Sequence, residues 1–369
     1  MLTEIATANV PGLPDTLVPL RRVTALIGPR ASGKSRLLAA IAWLVDGRPR
    51  LDGGHPATVA DYAVRGTLDG HVPRSIVRTP AEAPAPPLPR CRFFTARDRI
   101  AAAHRAAGAG ELAASGAEQL LACLEDWLSE GVTGRLLLIE EPELDLNPQA
   151  QRYLYRLLRA YGERNQVIYS TRSPALVDAV HHEEIVRLDI TGRRLWVRQA
   201  PAGLLSDEEA LRLSAEFDHE RSEMFFASAV VLVEGRTERQ SLPVIFRALG
   251  HDPDALGISI VEVGGKGNLP LAARLLGELN IPHLLVYDSD RGRPGAELNA
   301  RLASAAPEAP HFMLDPDFEQ AAGLPGNDDK VINAWRRFAN APAKRVPPVF
   351  HDIVATAVDL AARAKVDTG

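Results

Sequence analysis

Cysteine is nearly absent: Cys91 and Cys123 are the only two in 369 residues. Two thiols can neither staple a secreted scaffold nor supply a four-thiolate zinc site, so the chain is expected to fold on its own core in a reducing cytoplasm. Long apolar runs are missing as well. Runs such as Ala229 to Val233 and Leu136 to Ile139 are short, and even LLAAIAWLV at 37–45 is far below the roughly 20 residues that span a bilayer, which argues against membrane insertion. The opening MLTEIATANVPGLPD has neither a basic start nor an apolar stretch of signal-peptide length, so no export is expected. Nor is there an excess of positive charge. With 42 Lys+Arg against 47 Asp+Glu the net charge is −5, and any contact with nucleic acid has to come from a local basic patch. No internal repeat is visible, and the one biased tract is the Pro-rich APAPPLP at 83–89.

What is present is an ordinary globular composition, 46% hydrophobic and 24% charged, over a length that allows two or three domains. VTALI at 23–27 reads as a strand, followed by a Gly-rich turn and a helical stretch, SRLLAAIAWLV. Residues 49–90 hold only short edge strands and loop. A strand at 91–95 and helices at 97–107 and 116–129 follow. LLLIE (136–140) and QVIYS (166–170) read as buried strands around a helix at 148–161, with SPALVDAV as another short helix. Strands alternating with helices imply a covered parallel sheet. A hairpin turns at Thr191-Gly192, and a polar helical stretch runs from Ser206 to Phe226. A second alternating series then begins: VVLVE (230–234), helix 237–249, SIVEV (259–263), helix 269–279, HLLVYD (283–288) and helices after Pro294. The expected organisation is an α/β domain over 1–200, a linker over 201–227 and a second α/β domain over 228–369.

Gly28-Pro29-Arg30-Ala31-Ser32-Gly33-Lys34-Ser35 fits the pattern GxxxxGK[ST] between a predicted strand and a predicted helix. Backbone amides of such a loop form a nest for phosphate oxygens at a helix N-terminus. Lys34 would then neutralise the terminal phosphates and Ser35 would ligate Mg²⁺. LLLIE ends in paired carboxylates. Glu140 is placed to hold that metal, and Glu141 to orient or deprotonate an attacking water. In the second domain VVLVE is followed by Gly235 and, one helical turn later, Glu238, while HLLVYD leads into Asp288-Ser289-Asp290. Side chains alternate along a strand, so Asp288 and Asp290 are expected to point the same way and to share a cation with Glu234. Carboxylate oxygens suit Mg²⁺ or Mn²⁺ better than zinc.

Residues 22–175 resemble the ATPase head of ABC-type proteins of the SMC, RecF and OLD (overcoming lysogenization defect) group, with EEPELDLNP similar to their Walker B and D-loop. Ser115-Gly116-Ala117-Glu118-Gln119 resembles the signature loop that completes the ATP site in trans, which implies a homodimer; it also reads as a capped helix start. Two departures stand out. Arg172 in STRSP replaces the usual histidine, which puts efficient hydrolysis in question. No glutamine lies between Ser35 and Glu118, so the Q-loop residue is missing, although Arg97 resembles an arginine of that region.

EGRTE and DSD, with GGKGN between them, look like a Toprim domain, and an ABC-type P-loop ATPase domain followed by a Toprim domain with its Rossmann-like α/β fold resembles the OLD-family nucleases. That resemblance implies ATP binding and metal-dependent cleavage of DNA. It places Glu234, Asp288 and Asp290 on one metal, and Glu238 with Asp317 or Glu319 on a second, Asp315 being less favoured. It also implies a late lysine at the scissile phosphate. Lys344 is the choice and Lys330 the runner-up. Lys266 is either a phosphate contact or a soluble turn, and Arg291, Arg293, Arg336 and Arg337 are candidates for the basic patch. Dimerisation through Leu211, Leu213, Phe217, Phe225 and Phe226, or packing of those residues in a core, fits equally. The resemblance further suggests phage defence or DNA repair, with a helicase or reverse transcriptase as possible partner. The alternatives are a regulatory ATPase subunit that acts only with a partner, and a topoisomerase- or primase-like Toprim enzyme.

Overall fold

A computed structural model describes residues 1–46, 63–68, 74–78, 91–96, 116–192, 194–217, 219–291, 297–325 and 329–366. The chain forms two compact units, Met1–Ala200 and Pro201–Gly369.

The strands of the first unit are β1 (Leu2–Ala8), β2 (Thr16–Pro19), β3 (Val23–Ile27), β4 (Ala63–Leu68), β5 (Arg74–Arg78), β6 (Cys91–Phe94), β7 (Leu136–Glu140), β8 (Gln166–Ser170), β9 (Ile185–Thr191) and β10 (Arg194–Gln199). They make an antiparallel sheet of order β2-β1-β4-β5 and a six-stranded sheet of order β10-β9-β3-β8-β7-β6. From β9 to β6 the second sheet is parallel, and β10 adds the expected hairpin. β3, β8 and nearly all of β7 are buried along their length, as a parallel strand covered on both faces must be. The antiparallel sheet was not legible beforehand. Its first strand is tied to the parallel sheet by Gln166, whose amide accepts from Leu2 N at 2.8 Å and donates to Leu2 O at 2.6 Å.

Helices α1 (Lys34–Asp46), α2 (Gly116–Ser129) and α3 (Pro148–Gly162) follow the predicted spans. Asn147 caps α3 by accepting from Ala150 N at 2.9 Å, with Pro148 at the first helical position. SPALVDAV is not an α-helix. It is two 3-10 turns, Pro174–Leu176 and Ala179–Glu184, because Ser173 and Asp178 accept from backbone N–H groups two residues on and turn the chain instead of letting a helix propagate. The helix expected at 97–107 lies outside the described residues.

In the second unit β11 (Ala229–Val233), β12 (Ile258–Glu262), β13 (His283–Asp288) and β14 (His311–Leu314) form a parallel sheet of order β12-β11-β13-β14. β14 was not predicted; its four residues are too few for a pattern. The helices are α4 (Asp207–Glu216), α5 (Arg236–Ala248), α6 (Pro253–Leu256), α7 (Leu269–Glu278), α8 (Leu298–Ala305), α9 (Phe318–Ala321), α10 (Lys330–Phe338) and α11 (Pro348–Val366). Val231 and Val233 pack with Leu242, Phe246, Phe338 and Phe350 in one core. Val230 and Leu232, on the other face, are just as buried, and α7 packs against β11.

The stretch considered for dimerisation belongs to this unit. It is α4, opened by a capping box of Ser206 and Glu209, and then a separate 3-10 turn, Arg221–Phe226. Leu213 and Phe225 are in the core, whereas Leu211 is exposed.

Phe350 closes the second core, with its ring edge-on to Phe318 at 5.5 Å and to Phe338 at 6.2 Å. Truncating such a fully buried ring costs about 3–5 kcal/mol. Phe350→Ala should lower the denaturant midpoint of the full chain accordingly. A loss under about 1 kcal/mol would show that α11 does not seal this core.

Candidate functional sites at the strand ends

Register brings the first set of residues to one edge of the parallel sheet. Leu26 pairs with Ser170, and Ser170 with Glu140, so the loop after β3 and the acids after β7 share the carboxyl end. The turn is tight. Gly28 has φ +135, and a Cβ there would sit 2.0 Å from Leu188 O; only glycine allows this approach. Ala31 also has positive φ, and Arg30 and Ser35 are exposed. Lys34 is buried and its ammonium donates to Gly28 O and Pro29 O, both at 2.8 Å, and to Ser32 Oγ at 3.0 Å. Burial, with Arg172 acting in the same direction, lowers the Lys34 pKa to about 8. Gly33, Lys34 and Ser35 lie at the junction of this loop with α1, with the lysine folded onto its own loop.

Glu140 accepts from Ala96 N at 3.2 Å. Glu141, with φ +45, receives Arg172 at 3.1 Å on Oε1. Glu143 accepts from Arg172 N at 2.7 Å and so holds the arginine's backbone; burial raises its pKa. The residue in the usual histidine's place is thus an ion partner of the acid expected to act as base. Glu143 and Asp189, a further charge acting on Lys34, had no signal in the sequence beyond being acids. Gly116 opens α2. Ser115 and Arg97 lie outside the described residues.

The second set gathers at the carboxyl ends of β11 and β13, neighbours whose register pairs Val233 with Val286. Glu234 follows β11 and accepts from Asp288 N at 2.7 Å. Glu238, on the first turn of α5, accepts from Gly235 N at 3.2 Å. Strand alternation is not what unites Asp288 and Asp290. β13 ends at Asp288, and Asp290 lies beyond it with φ +49. The link is Lys266. Its ammonium, buried with the residue 6% exposed, donates to Asp288 O and to Asp290 Oδ2, the latter at 2.7 Å, and lies 3.7 Å from Glu234 Oε1. Expected as a surface turn or phosphate contact, it is an internal counter-ion.

Burial pushes the Asp288 carboxyl up to about 8, and Glu238, Glu234, Glu319 and Asp290 push the same way. Burial likewise pushes Glu238 to about 7, with Glu234 and Glu319 adding to it. Glu319 thus belongs to the cluster. Asp317 caps α9, accepting from Gln320 N at 3.0 Å, and Asp315 accepts from Ser289 Oγ at 2.8 Å and pairs with Arg291 at 3.2 Å. The two lysine candidates differ in their surroundings. Lys344 is exposed on the 3-10 turn Ala343–Arg345, while Lys330, first residue of α10, holds Glu319 at 2.7 Å. Arg336 and Arg337, further along α10, join Arg345 in lining a cavity of about 490 Å³; Arg293 lies outside the described residues.

The donor set suits a hard divalent cation. Asp288 Oδ1 is buried without a hydrogen-bond partner, and the acids around it lack sufficient positive charge. The first unit thus presents a P-loop sequence between strand and helix, and the second a cluster of acids at the ends of parallel strands. Residues 225–290 match the family model for the overcoming lysogenization defect protein-like TOPRIM domain, and residues 101–178 match an AAA domain described as putative AbiEii toxin, Type IV TA system. The two matched stretches stand in the order the motifs imply, an AAA-type stretch before an OLD-like TOPRIM stretch.

The OLD nuclease of Thermus scotoductus is 33% identical over 216 residues, 52% of this chain and 41% of that protein. The Old nuclease of Escherichia phage P2 is 30% identical over 161 residues, 42% of this chain and 28% of its own. A solved C-terminal region of the Xanthomonas campestris pv. campestris OLD protein is 22% identical, with 38% of this chain and 98% of that one covered, at a TM-score of 0.31. The chain spans less than half the length of these curated relatives. No helix among the described residues is long and apolar enough to cross a membrane.

Lys266→Met tests the counter-ion. Leaving Asp290 and Glu234 buried without their cation should cost about 3 kcal/mol in EDTA, the low end for a broken buried pair because both acids are about a fifth exposed. Mg²⁺ should restore most of it. Denaturant midpoints that match the parent in EDTA would show that Lys266 does not neutralise the cluster.

Proposed function

We propose that the chain acts as an ATP-binding, metal-dependent DNA endonuclease in which nucleotide binding gates cleavage. The observation that carries this reading is the convergence of Glu234, Glu238, Asp288, Asp290 and Glu319 around one buried, unpartnered carboxylate oxygen, in a domain of OLD-like Toprim type. Mg²⁺ or Mn²⁺ held there supplies activated water and stabilises the leaving oxygen of a phosphodiester. Glu234, Asp288 and Asp290 hold one ion, and Glu238 with Glu319 the other. Asp317, spent on its helix cap, is the weaker ligand. Lys330, beside Glu319, offers its ammonium to the scissile phosphate, and the arginines of α10 take neighbouring phosphates. The relatives are named nucleases; DNA as the substrate, and a place in phage defence or DNA repair as a homodimer with or without a helicase or reverse-transcriptase partner, follow from the family reading of the motifs.

With supercoiled plasmid and Mg²⁺ or Mn²⁺, the parent should give nicked and linear products. Asp288→Ala should lose this activity, Lys330→Ala should reduce it roughly 100-fold or more, and Lys344→Ala should keep it. Equal cleavage by the parent and Asp288→Ala would remove the site from the reaction.

In the head, Gly28, Arg30, Ala31, Ser32, Gly33 and Lys34 form the phosphate nest, Ser35 and Glu140 take Mg²⁺, and Ser115 with Gly116 cap the nucleotide of a second copy. Arg172 on Glu141 favours slow hydrolysis, because an ion-paired carboxylate is a poor base. The nucleotide then serves as a switch more than as a fuel. Since the Lys34 pKa is depressed to about 8, the ammonium that ATP needs is lost above that value. ATP affinity should accordingly fall roughly tenfold between about pH 7 and pH 9. Fluorescent-nucleotide titrations of the parent should show this slope, and Lys34→Ala should bind weakly without it. A flat profile in the parent would contradict the assignment.

A further inference from the structure

The 3-10 turn Ala179–Glu184 carries His181, His182, Glu183 and Glu184 in succession. It is kinked at His181, with φ −102 and ψ 39. One ligand atom each from His181, Glu183 and Glu184 lies within 4.8 Å of the other two. Among the described residues no trio of the Toprim acids is that tight. A separate observation points at the same place. His182 is 4% exposed, yet neither ring nitrogen has a hydrogen-bond partner. Leaving such a group idle costs about 1–3 kcal/mol. Its Nδ1 faces Glu183 Oε2 at 3.7 Å, too far for a hydrogen bond.

The surroundings already fix the ligands. Gln199 Nε2 donates to Glu183 O at 2.6 Å, and Arg159 pairs with Oε1 of Glu184, leaving its second oxygen. Glu183 and the second oxygen of Glu184, whose charge Arg159 partly offsets, are anionic ligands, and an imidazole beside them selects a borderline ion of the zinc class over Mg²⁺ or Ca²⁺.

We propose that His181, Glu183 and Glu184 form a structural binding site for a zinc-class divalent cation in the first unit, with the His182 imidazole set beside the Glu183 carboxylate. β9 starts at the next residue, Ile185, and includes Leu188, whose carbonyl closes on Gly28. A cation here clamps the entry to the strand that backs the phosphate loop. The site stands independently of the nuclease reading.

The full chain, stripped with chelator, is titrated with Zn²⁺ by calorimetry and with Co²⁺ by visible absorption. Asp288→Asn serves as control for ions taken up by the Toprim acids. About one equivalent of zinc and the low-symmetry Co²⁺ bands should persist in Asp288→Asn and vanish in His181→Ala and Glu183→Gln. His182→Ala, a positioning change, should weaken zinc roughly 10- to 100-fold while keeping the bands. If His181→Ala does not fold, as judged by circular dichroism, Glu183→Gln carries the comparison. Parent-like stoichiometry and spectra in Glu183→Gln, or no zinc uptake by Asp288→Asn, would overturn the site. DNA cleavage is not read, so failure here leaves the nuclease reading untouched.

Discussion

Like charges brought together at the end of a covered sheet repel, and the second unit is organised around containing that repulsion. Burial raises the proton affinity of Glu234, Glu238 and Asp288, and the neighbouring carboxylates add to it; in a medium less polar than water each unpaired charge is costly. Lys266 and Lys330 are the fixed answers, one inside the cluster and one at its rim. Neither supplies enough charge, which is why Asp288 keeps a buried oxygen with nothing bonded to it. A divalent cation is the physical complement of that deficit, and Lys266, already bonded to Asp290, is a natural competitor for the same oxygens.

The first unit solves the opposite problem with backbone. Its Gly-rich loop offers N–H groups and one lysine, whose ammonium donates to the loop's own carbonyls. The neighbouring charges are set by rigid strands. Glu141 and Arg172 face each other because β7 and β8 are paired in register up to Glu140 and Ser170, and Glu143 pins the arginine's backbone. The contact of the half-exposed Arg172 with Glu141 is thus positioned by the sheet.

Periodicity carried most of the long elements. β3, β7, β8, β11 and β13 read directly as apolar runs bounded by acids or glycine, and helices α1, α2, α3, α5 and α7 as 3.6-residue patterns. Elements whose partners lie far away in sequence stayed hidden. β1 owes its place to Gln166 and to pairing with β4, and β14 to a single neighbour, β13. The turn residues misled for a related reason: Ser173 and Asp178 satisfy the backbone locally, so an apolar pattern that suggests a helix breaks into two short turns.

Motif chemistry is local, and the sequence by itself determined it: a phosphate-binding loop between strand and helix, acids at strand ends, and the order of an ATPase head before a Toprim unit. Charge pairing is not local. Only the tertiary structure decided that Lys266 points inward, that Lys330 and not Lys344 meets the acids, that Asp290 reaches the cluster through a turn, and that Arg172 engages Glu141. The reason is physical. Covalent spacing limits which residue types can act together along one element, whereas the partner of a charge is whichever opposite group the packing of distant strands and helices leaves within a few ångströms.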